Sequence, residues 1–312
     1  MAEDLKLFSC RANRPLAEKI SRYLEIPLGT AEITNFADGE IRISINENVR
    51  GRDVFIIQPT PPPADNILEL LLMIDALKRS SARRITAVIP YYGYARQDRK
   101  DQPRVPLSAK LIANLLIRAG IDRLLTMDLH ADQIQGYFDI PVDHLFSTPV
   151  LVKHFASRTE NLVVVAPDTG RANRARGFAQ RLGNKIPIAI IDKRRTAPNQ
   201  SEALRVVGDV AGMNTLIFDD MIDTGGTLLL ATTALLEAGA KSVSATATHG
   251  IFSRNAVQLI GESLLSEVTI TDTINQPPER HQPKIQVLSV SALLAEAILR
   301  IHREESVSSL FI

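Results

Sequence analysis

Short runs of β-branched and other apolar residues alternate along the chain with longer stretches in which apolar residues recur at helical spacing. The short runs predict strands, and the longer stretches predict amphipathic helices. Strands that alternate with helices favour parallel sheets covered by helices on both faces, which is an α/β fold. The predicted strands are 54–57, 85–89, 124–127, 162–166, 188–191, 215–218, 243–248 and 268–271, and the predicted helices lie near 13–24, 66–79, 106–119, 147–157, 172–182, 226–238 and 291–302.

The chain also contains a candidate internal repeat. Residues 70–90 align without gaps with residues 228–248, and 7 of the 21 aligned pairs are identical. Two Leu/Ala-rich helices followed by strands could also match through composition alone. In the same register residues 61–69 lie opposite 219–227, so that only the second copy carries a glycine-rich acidic loop. A true duplication predicts two related domains with one ligand loop and a boundary near residues 145–150.

Composition narrows the class of protein. The chain has 312 residues, of which 45% are hydrophobic and 23% charged, and this length is typical of two domains. The net charge of +1 argues against a general binder of nucleic acids or membranes, which usually carries an excess of one sign. Cys10 is the only cysteine, which excludes a disulfide framework and a cysteine-based zinc site. The acidic start and the lack of a long uncharged apolar stretch predict a soluble, cytoplasmic protein.

The string LIFDDMIDTGGT at 216–227 combines an apolar strand, an acidic segment and a glycine-rich helix start. The strand is expected to end at Asp219 and Asp220, whose carboxylates can accept hydrogen bonds from the vicinal hydroxyls of a sugar. Amides at the start of the next helix can bind phosphate, and glycines let that backbone approach closely. The motif therefore predicts a sugar-phosphate site, with an acidic cap after a core strand as the structural alternative. Its candidate residues are Asp219, Asp220, Asp223, Thr224, Gly225, Gly226 and Thr227.

Other charged segments are less specific by themselves. The turn DKRR at 192–195 carries cations that can close over a transferring phosphoryl group, but it could equally be an exposed basic turn. The loop at 95–104 carries four cations and two acids and would alone suggest a solvated surface loop. His130, which follows Asp128, would alone more often be structural. The chain has neither a P-loop motif nor a G-x-G-x-x-G motif, so scattered loops would have to bind a nucleotide.

The motif at 216–227 resembles the ribose-phosphate loop of the type I phosphoribosyltransferase fold, and further strings resemble the ribose-phosphate pyrophosphokinase family. They extend from residue 36 to the end, so the resemblance covers the whole chain. The strings are FADGE (36–40), YYGYARQDRK (91–100), MDLHADQIQGYFDIPVD (127–143), APDTGRANRAR (166–176), DKRR (192–195), THGIF (248–252) and ESVSSLF (305–311).

The resemblance implies a fold of two tandem phosphoribosyltransferase-like domains, each a mostly parallel sheet flanked by helices. Residues 1–147 would form the N-terminal domain, with the ATP loops. Residues 148–312 would form the C-terminal domain, with the ribose 5-phosphate loop and the catalytic loop. The last helix is expected to pack back on the first domain.

The enzyme implied by the resemblance is an ATP-dependent, magnesium-requiring ribose-phosphate diphosphokinase. It transfers the pyrophosphoryl group of ATP to the anomeric hydroxyl of ribose 5-phosphate, which gives phosphoribosyl pyrophosphate and AMP for nucleotide biosynthesis. A homo-oligomer, a hexamer built of dimers, is also implied, because the loop at 36–40 reaches into a neighbouring subunit. The alternatives are a phosphoribosyltransferase and a non-catalytic regulatory subunit of the same family. His130, Lys193 and Arg195 are intact, which argues against a regulatory subunit.

The resemblance assigns roles position by position. Catalysis is assigned to Lys193, Arg195 and His130, and the magnesium ion is assigned to His130 and Asp168. An imidazole is an unusual ligand for magnesium, so His130 could act through the ATP phosphates or through bound water. Phe36 is expected to stack on the adenine, and the ATP-binding residues are Phe36, Asp38, Glu40, Arg96, Gln97 and Asp101. The pyrophosphate loop consists of Asp168, Thr169, Gly170 and Arg171.

Two departures from the family pattern bear on these roles. Arg171 stands where the family usually has a second glycine, and it would be strained if the position needs a positive φ. Its side chain is expected to point away from the substrate. Asn48 and Pro103 stand where serines are common near a possible allosteric site for phosphate or ADP, which leaves this regulation open. The matching allosteric positions are Arg50, Ser81, Arg104, Gln135, Asp143, Ser306 and Ser308.

Overall fold

The computed structural model describes residues 4–194 and 203–311. The chain divides into two compact units, the first containing Met1–Phe146, Thr273–Asn275 and Ser289–Ile312, and the second containing Ser147–Asp272 and Gln276–Leu288. The strands are β1 (Leu5–Ser9), β2 (Ala31–Asn35), β3 (Ile41–Ile45), β4 (Asp53–Ile57), β5 (Arg84–Ile89), β6 (Arg123–Met127), β7 (Val142–Leu145), β8 (Leu162–Ala166), β9 (Ile188–Arg194), β10 (Ala203–Val207), β11 (Asn214–Ile222), β12 (Ser242–Gly250), β13 (Val268–Thr271) and β14 (Ile285–Leu288). The helices are α1 (Arg14–Leu24), α2 (Asp65–Arg79), α3 (Ser108–Ala119), α4 (Thr148–Phe155), α5 (Ala172–Leu182), α6 (Gly226–Glu237), α7 (Ala256–Glu262) and α8 (Ser291–Arg303).

The first unit is built on a five-stranded parallel sheet with the order β1-β4-β5-β6-β7. Its central strands are mostly apolar, as expected for parallel strands covered on both faces, and every residue of β4 is buried. The C-terminal helix α8 joins this unit by packing against α1. β2 and β3 form a separate antiparallel hairpin of partly exposed residues.

The second unit is built on a seven-stranded sheet with the order β10-β9-β8-β11-β12-β13-β14. Among its described strands, β10 alone runs antiparallel to its neighbour. From β8 the chain passes through α5 to β9 on one side, and after β10 it returns to β11 on the other side of β8. The strand order therefore reverses between β8 and β11. Open α/β sheets bind their ligands at such a point, outside the carboxyl ends of the strands.

The two sheets share one strand order, because β1-β4-β5-β6-β7 corresponds to β8-β11-β12-β13-β14. The register of the sequence repeat is also kept. α2 ends at Arg79 and β5 begins at Arg84, while α6 ends at Glu237 and β12 begins at Ser242. A chance similarity in composition would not reproduce this order, so the structure supports the duplication. The two copies differ most after the first helix, where the first unit has the hairpin β2–β3 and the second has β9 and β10.

The predicted α/β class, with mostly parallel sheets flanked by helices, is confirmed. All the predicted strands and helices are present, and the structure adds β1, β2, β3, β7, β10, β14 and α7. The predicted end of the strand at Asp219 and Asp220 is wrong by two residues. β11 continues to Ile222 because Met221 and Ile222 still pair with β12.

Candidate active site

Asp219 and Asp220 lie near the carboxyl end of β11, beyond the point at which the neighbouring strand β8 stops. β11 pairs with β8 only over Asn214–Ile217, whereas it pairs with β12 as far as Ile222. The loop that follows β8 consequently faces the two acids across the open end of β11, where Arg171 contacts both of them. This edge, formed by β11 and residues 167–171, is called the acid notch below.

Arg171 closes one side of the acid notch with an ion pair. Its Nη2 atom lies 2.7 Å from Oδ2 of Asp220, and its Nε atom lies 3.7 Å from Oδ1 of Asp219. The side chains of Asp220 and Arg171 are only 2% and 15% exposed, so water screens this pair weakly. A charge-assisted bond in such a setting is strong, and removal of the cation would leave a buried carboxylate without its counter-charge.

Arg171 turns toward the two acids of the acid notch, and its backbone does not have the positive φ that would cause strain; its orientation relative to the substrate stays a prediction. Its φ of −90° and ψ of −5° lie on the right-handed side, so the position does not need the positive φ that favours glycine. The carboxylate of Asp168 caps the short 3-10 turn Thr169–Arg171 by accepting a hydrogen bond from the Arg171 amide at 3.0 Å. Because this cap fixes the backbone, the side chain leaves the turn toward β11 and meets the two acids.

The two adjacent acids perturb each other. Burial raises the pKa of Asp219 well above its usual value, and the neighbouring charge of Asp220 raises it further. The guanidinium of Arg171 acts in the opposite direction and favours the ionised form. The charge of Asp219 in the acid notch therefore depends on its burial, on Asp220 and on Arg171.

Beyond β11 the chain turns into α6 through a glycine. Gly225 has a φ of 78°, in the left-handed region that favours glycine, and it directly precedes the first residue of α6. Thr224, Gly226 and Thr227 are exposed, and the first turn of α6 contains no acidic residue. Amides and hydroxyls at such a helix start can bind a phosphate. The structure thus brings the predicted sugar-hydroxyl acceptors and the predicted phosphate loop to one end of β11.

Lys193 lies near the end of β9, opposite Leu204 of β10. β9 pairs with β8 and contacts the turn Thr169–Arg171, so it borders the acid notch. The side chain of Lys193 and the whole of Arg195 lie outside the described residues. Their catalytic roles stay predictions.

His130 lies in the first unit, in the loop that follows β6. This loop is anchored to β7, because the amide of Leu129 donates to Nε2 of the buried His144 at 2.9 Å. The backbone of Asp128 has a φ of 39°, which turns the chain sharply at the end of β6. His144 was missed by sequence reasoning, since a histidine within the string VDHL is equally typical of a core residue.

The predicted adenine loop at 36–40 is the tight turn of the β2–β3 hairpin. The Phe36 amide donates to the carbonyl of Glu40 at 2.8 Å, and Oδ1 of Asp38 accepts from the amide of Glu40 at 3.1 Å. The Phe36 ring is 52% exposed, and the guanidinium carbon of Arg42 lies 6.0 Å from its centroid. An aromatic ring that a turn displays to solvent in this way can stack on a base.

Arg96, Gln97 and Asp101 are exposed residues of the loop between β5 and α3. Gln97 is tied to the start of α3, because the Ser108 hydroxyl bonds to its Oε1 atom and the Ala109 amide donates to its carbonyl. The loop therefore has a fixed end from which an arginine can reach a phosphate. ATP binding by these residues stays a prediction.

The possible allosteric residues all lie in the first unit. Arg50 and Ser81 are brought together, because the amide of Gly51 donates to the carbonyl of Ser81 at 2.9 Å. Asp143 forms an ion pair with Arg123 at 2.7 Å. The remaining positions, which are at least partly exposed, are Arg104, Gln135, Ser306 and Ser308. Binding of an effector here stays a prediction.

No cluster of three or more His, Cys, Asp or Glu side chains that could hold a metal ion occurs in the part of the chain that the structure describes. Asp168 offers a carboxylate, although its Oδ1 atom already caps Arg171. His130 belongs to the first unit and Asp168 to the second. Their joint role at a metal stays a prediction.

Comparison with known proteins decides the family. Residues 5–120 match the N-terminal domain of ribose phosphate pyrophosphokinase, and residues 192–312 match the phosphoribosyl synthetase-associated domain. A ribose-phosphate pyrophosphokinase of Brucella melitensis is 55% identical over 98% of this chain and 100% of its own length. The chain belongs to the ribose-phosphate pyrophosphokinase family.

Further members of the ribose-phosphate pyrophosphokinase family agree. The protein of that name from Hyphomonas neptunium is 55% identical over 98% of this chain and 99% of its own. The crystal structure of phosphoribosylpyrophosphate synthetase from Mycobacterium smegmatis matches 96% of this chain and 99% of that chain, with a TM-score of 0.91 and 44% identity.

These relatives confirm the predicted family, the enzyme class and the transfer of pyrophosphate to ribose 5-phosphate. Nothing among them supports the regulatory-subunit or phosphoribosyltransferase alternatives. No helix of the described residues is long and apolar enough to cross a membrane. The cytoplasmic location stays a prediction.

Proposed function

We propose that the chain makes phosphoribosyl pyrophosphate by binding ribose 5-phosphate at the acid notch and at the start of α6, and ATP on the loops of the first unit. The observation that carries this proposal is the end of β11. There, two acids at a reversal of strand order are followed within a few residues by an exposed, acid-free helix start. Sugar hydroxyls need acceptors and a sugar phosphate needs donors, and this one segment supplies both.

In this proposal Asp219 and Asp220 accept hydrogen bonds from the ring hydroxyls of ribose 5-phosphate. The 5-phosphate lies on the amides and hydroxyls of residues 224–227, where the positive end of the α6 dipole and the lack of an acid in its first turn favour an anion. The backbone at Gly225 supports the tight turn between the two parts. The sugar is thereby held at both ends.

ATP is assigned to the first unit. The exposed Phe36 ring stacks on the adenine, with Asp38 and Glu40 as hydrogen-bonding partners on the same turn. Arg96 and Gln97, on the loop anchored at Ser108, contact the nucleotide, with Asp101 close by. These positions combine an aromatic face, carboxylate acceptors and a cation, which are the groups that a purine nucleotide requires.

The reaction is an in-line displacement at the β-phosphorus of ATP. The anomeric hydroxyl of ribose 5-phosphate loses its proton to water as its oxygen forms a bond to this phosphorus. The bond from the phosphorus to the AMP oxygen breaks, and AMP leaves. Negative charge develops on the transferring group and on the leaving oxygen. Lys193 and Arg195, on the segment that follows the buried part of β9, are assigned to neutralise it.

Magnesium is the proposed metal. It binds oxygen ligands, keeps several waters and is usually held by one or two carboxylates together with substrate phosphates. The carboxylate of Asp168 fits this preference directly, and His130 fits it through a bound water or through the ATP phosphates. When bound with ATP, the ion would neutralise phosphate charge and polarise the β-phosphorus.

A homo-oligomer, with a hexamer as the expected form, is part of the proposal. Two helices of the first unit each expose a pair of leucines one turn apart: Leu68 and Leu72 on α2 are 49% and 37% exposed, and Leu111 and Leu115 on α3 are 55% and 41% exposed. Apolar pairs on neighbouring surface helices support association between copies of the chain. The exposed Phe36 turn would then contribute to the ATP site of another subunit.

Complementation tests this sharing of sites. Phe36→Ala and Lys193→Ala should each lower activity, because one removes the stacking ring and the other a transition-state cation. Mixed and allowed to exchange subunits, the two variants should regain part of the activity through hybrid sites in which neither substitution is present. No recovery, with exchange demonstrated by mass spectrometry of labelled subunits, would place Phe36 in the site of its own subunit.

The proposed reaction as a whole is tested by measuring AMP release from ATP. We expect release that depends on both ribose 5-phosphate and magnesium, with phosphoribosyl pyrophosphate formed in equal amount. A regulatory subunit would release no AMP. A phosphoribosyltransferase would consume phosphoribosyl pyrophosphate in the presence of a base and would not require ATP.

A further inference from the structure

The contact between Arg171 and the two acids is a feature of the acid notch that the reaction above does not use. Arg171 is held at both ends: its amide bonds to Asp168 at 3.0 Å, and its Nη2 atom lies 2.7 Å from Asp220. The side chain is therefore fixed in the site.

The physical need for such a cation follows from the two acids. Asp219 and Asp220 are adjacent, and the Asp220 side chain is only 2% exposed. The negative charges of adjacent acids repel each other, and burial disfavours the charged form, so both effects favour protonation of one carboxyl group. A protonated carboxyl offers fewer acceptor sites. The guanidinium of Arg171, which lies 2.7 Å from Asp220, acts against both effects at Asp219 but does not outweigh them.

We propose that Arg171 is a positioning residue for ribose 5-phosphate, which holds the Asp220 carboxylate in a fixed orientation at the sugar site through the contact of 2.7 Å. The inference rests on the proposed sugar site. In this role Arg171 acts on the sugar through Asp220 and makes no direct contact with the transferred pyrophosphoryl group.

The rival role for Arg171 is direct binding of the pyrophosphoryl group, since its turn follows β8 and precedes α5. The two roles affect different substrates. A positioning residue changes the KM for ribose 5-phosphate and leaves that for ATP nearly constant. A direct ligand of the pyrophosphoryl group changes the KM for ATP or kcat at least as much.

The test compares Arg171→Gln with Arg176→Gln, which removes an exposed cation from the same segment. We expect Arg171→Gln to raise the KM for ribose 5-phosphate about tenfold, the scale of one charge-assisted hydrogen bond, and to change the KM for ATP less than about threefold. Arg171→Lys should recover part of the loss. Arg176→Gln should change neither value, and a cooperative thermal transition above the assay temperature should show that each variant is folded.

A double variant completes the test. If Arg171 acts through Asp220, Arg171→Gln should have little further effect on the KM for ribose 5-phosphate in an Asp220→Asn background. Multiplied effects of the two substitutions, an unchanged KM for ribose 5-phosphate in Arg171→Gln, or an equal rise for ATP would each overturn the proposal. Absence of AMP release dependent on ribose 5-phosphate in the wild type would instead refute the proposed function.

Discussion

The loop after β4 and the loop after β11 occupy equivalent places in the two sheets but use their polar groups in opposite ways. In the first unit the polar side chains turn inward: Oε1 of the buried Gln58 accepts from the Ala12 amide at 3.0 Å, and Oγ1 of the buried Thr60 accepts from the Gly93 amide at 2.8 Å. In the second unit Thr224 is exposed at the start of α6. The polar side chains of the first copy therefore form hydrogen bonds with nearby backbone amides, whereas the second copy presents a polar side chain to solvent, where a ligand can bind.

The helices that follow these loops differ in charge as well. α2 begins at Asp65, whose carboxylate would repel a phosphate at the helix start. The aspartate in the same repeat register of the second copy, Asp223, lies before α6, whose first turn has no acid. In the repeat register Pro61 and Pro62 stand opposite Asp219 and Asp220, so the acid pair is confined to the second copy. The repeated strand order thus fixes where a site can lie, and the residues at the strand end determine whether a ligand can bind there.

The largest expected effect lies where the two copies differ most, at β9. Lys193→Ala should lower kcat by about two or more orders of magnitude, because one preorganised donor to a transition state contributes on this scale. ATP affinity and the thermal midpoint should stay close to those of the wild type. Lys185→Ala, at an exposed lysine that precedes β9, is the matched control. A Lys193→Ala variant that keeps more than about a third of wild-type turnover would show that the assigned role is wrong.

Substitution at the acid pair compares the two loops directly. Asp220→Asn should raise the KM for ribose 5-phosphate about tenfold or more and that for ATP far less, because an amide has only one acceptor oxygen and no charge to pair with Arg171. Asp65→Asn, at the equivalent helix start of the first unit, should leave the KM for ribose 5-phosphate unchanged. Steady-state kinetics with each substrate varied in turn measures both. Equal losses for the two substrates in Asp220→Asn would indicate that the acids hold the metal instead.

Most of the fold could be predicted because its central strands are buried on both faces and contain apolar runs, such as residues 54–57 of β4 and the whole of β8. The hairpin β2–β3 was missed since its strands are only partly buried and carry no such run. The end of β11 was misplaced because pairing with β12 continues past the acids, and strand pairing cannot be read from a single segment.

Only part of the candidate site could be predicted from the sequence as well. The acids and the glycine-rich loop could be predicted, since they form one continuous string. The orientation of Arg171 could not, because it depends on how far β11 extends beyond β8 and on the Asp168 cap that fixes the turn. Both are properties of the folded sheet, and no residue type within the string indicates them.

The smallest expected effect concerns the cost of the acid pair to stability. Burial and the charge of Asp220 raise the pKa of Asp219 in the folded protein. The folded state therefore binds a proton more tightly than the unfolded state, whose Asp pKa is about 3.9, and stability falls as the pH rises through this interval. Above the raised pKa the full penalty is present. Asp219→Asn removes it, so this variant should be more stable than the wild type at pH 7.5, although it binds ribose 5-phosphate less well.

Thermal unfolding at several pH values measures this effect. The midpoint of Asp219→Asn should exceed that of the wild type by about 2 °C or more at pH 7.5, and the difference should shrink as the pH is lowered toward 4. Asp209→Asn is the control, because this exposed acid also accepts a backbone amide, from Ala211 at 3.2 Å, and an asparagine keeps that acceptor. It should show no gain at any pH. A midpoint for Asp219→Asn below the wild-type value at pH 7.5 would mean that Arg171 stabilises the ionised Asp219 by more than burial and Asp220 destabilise it. In that case the acid pair would not lower the stability of the second unit at this pH, and the two loops would not differ in this respect.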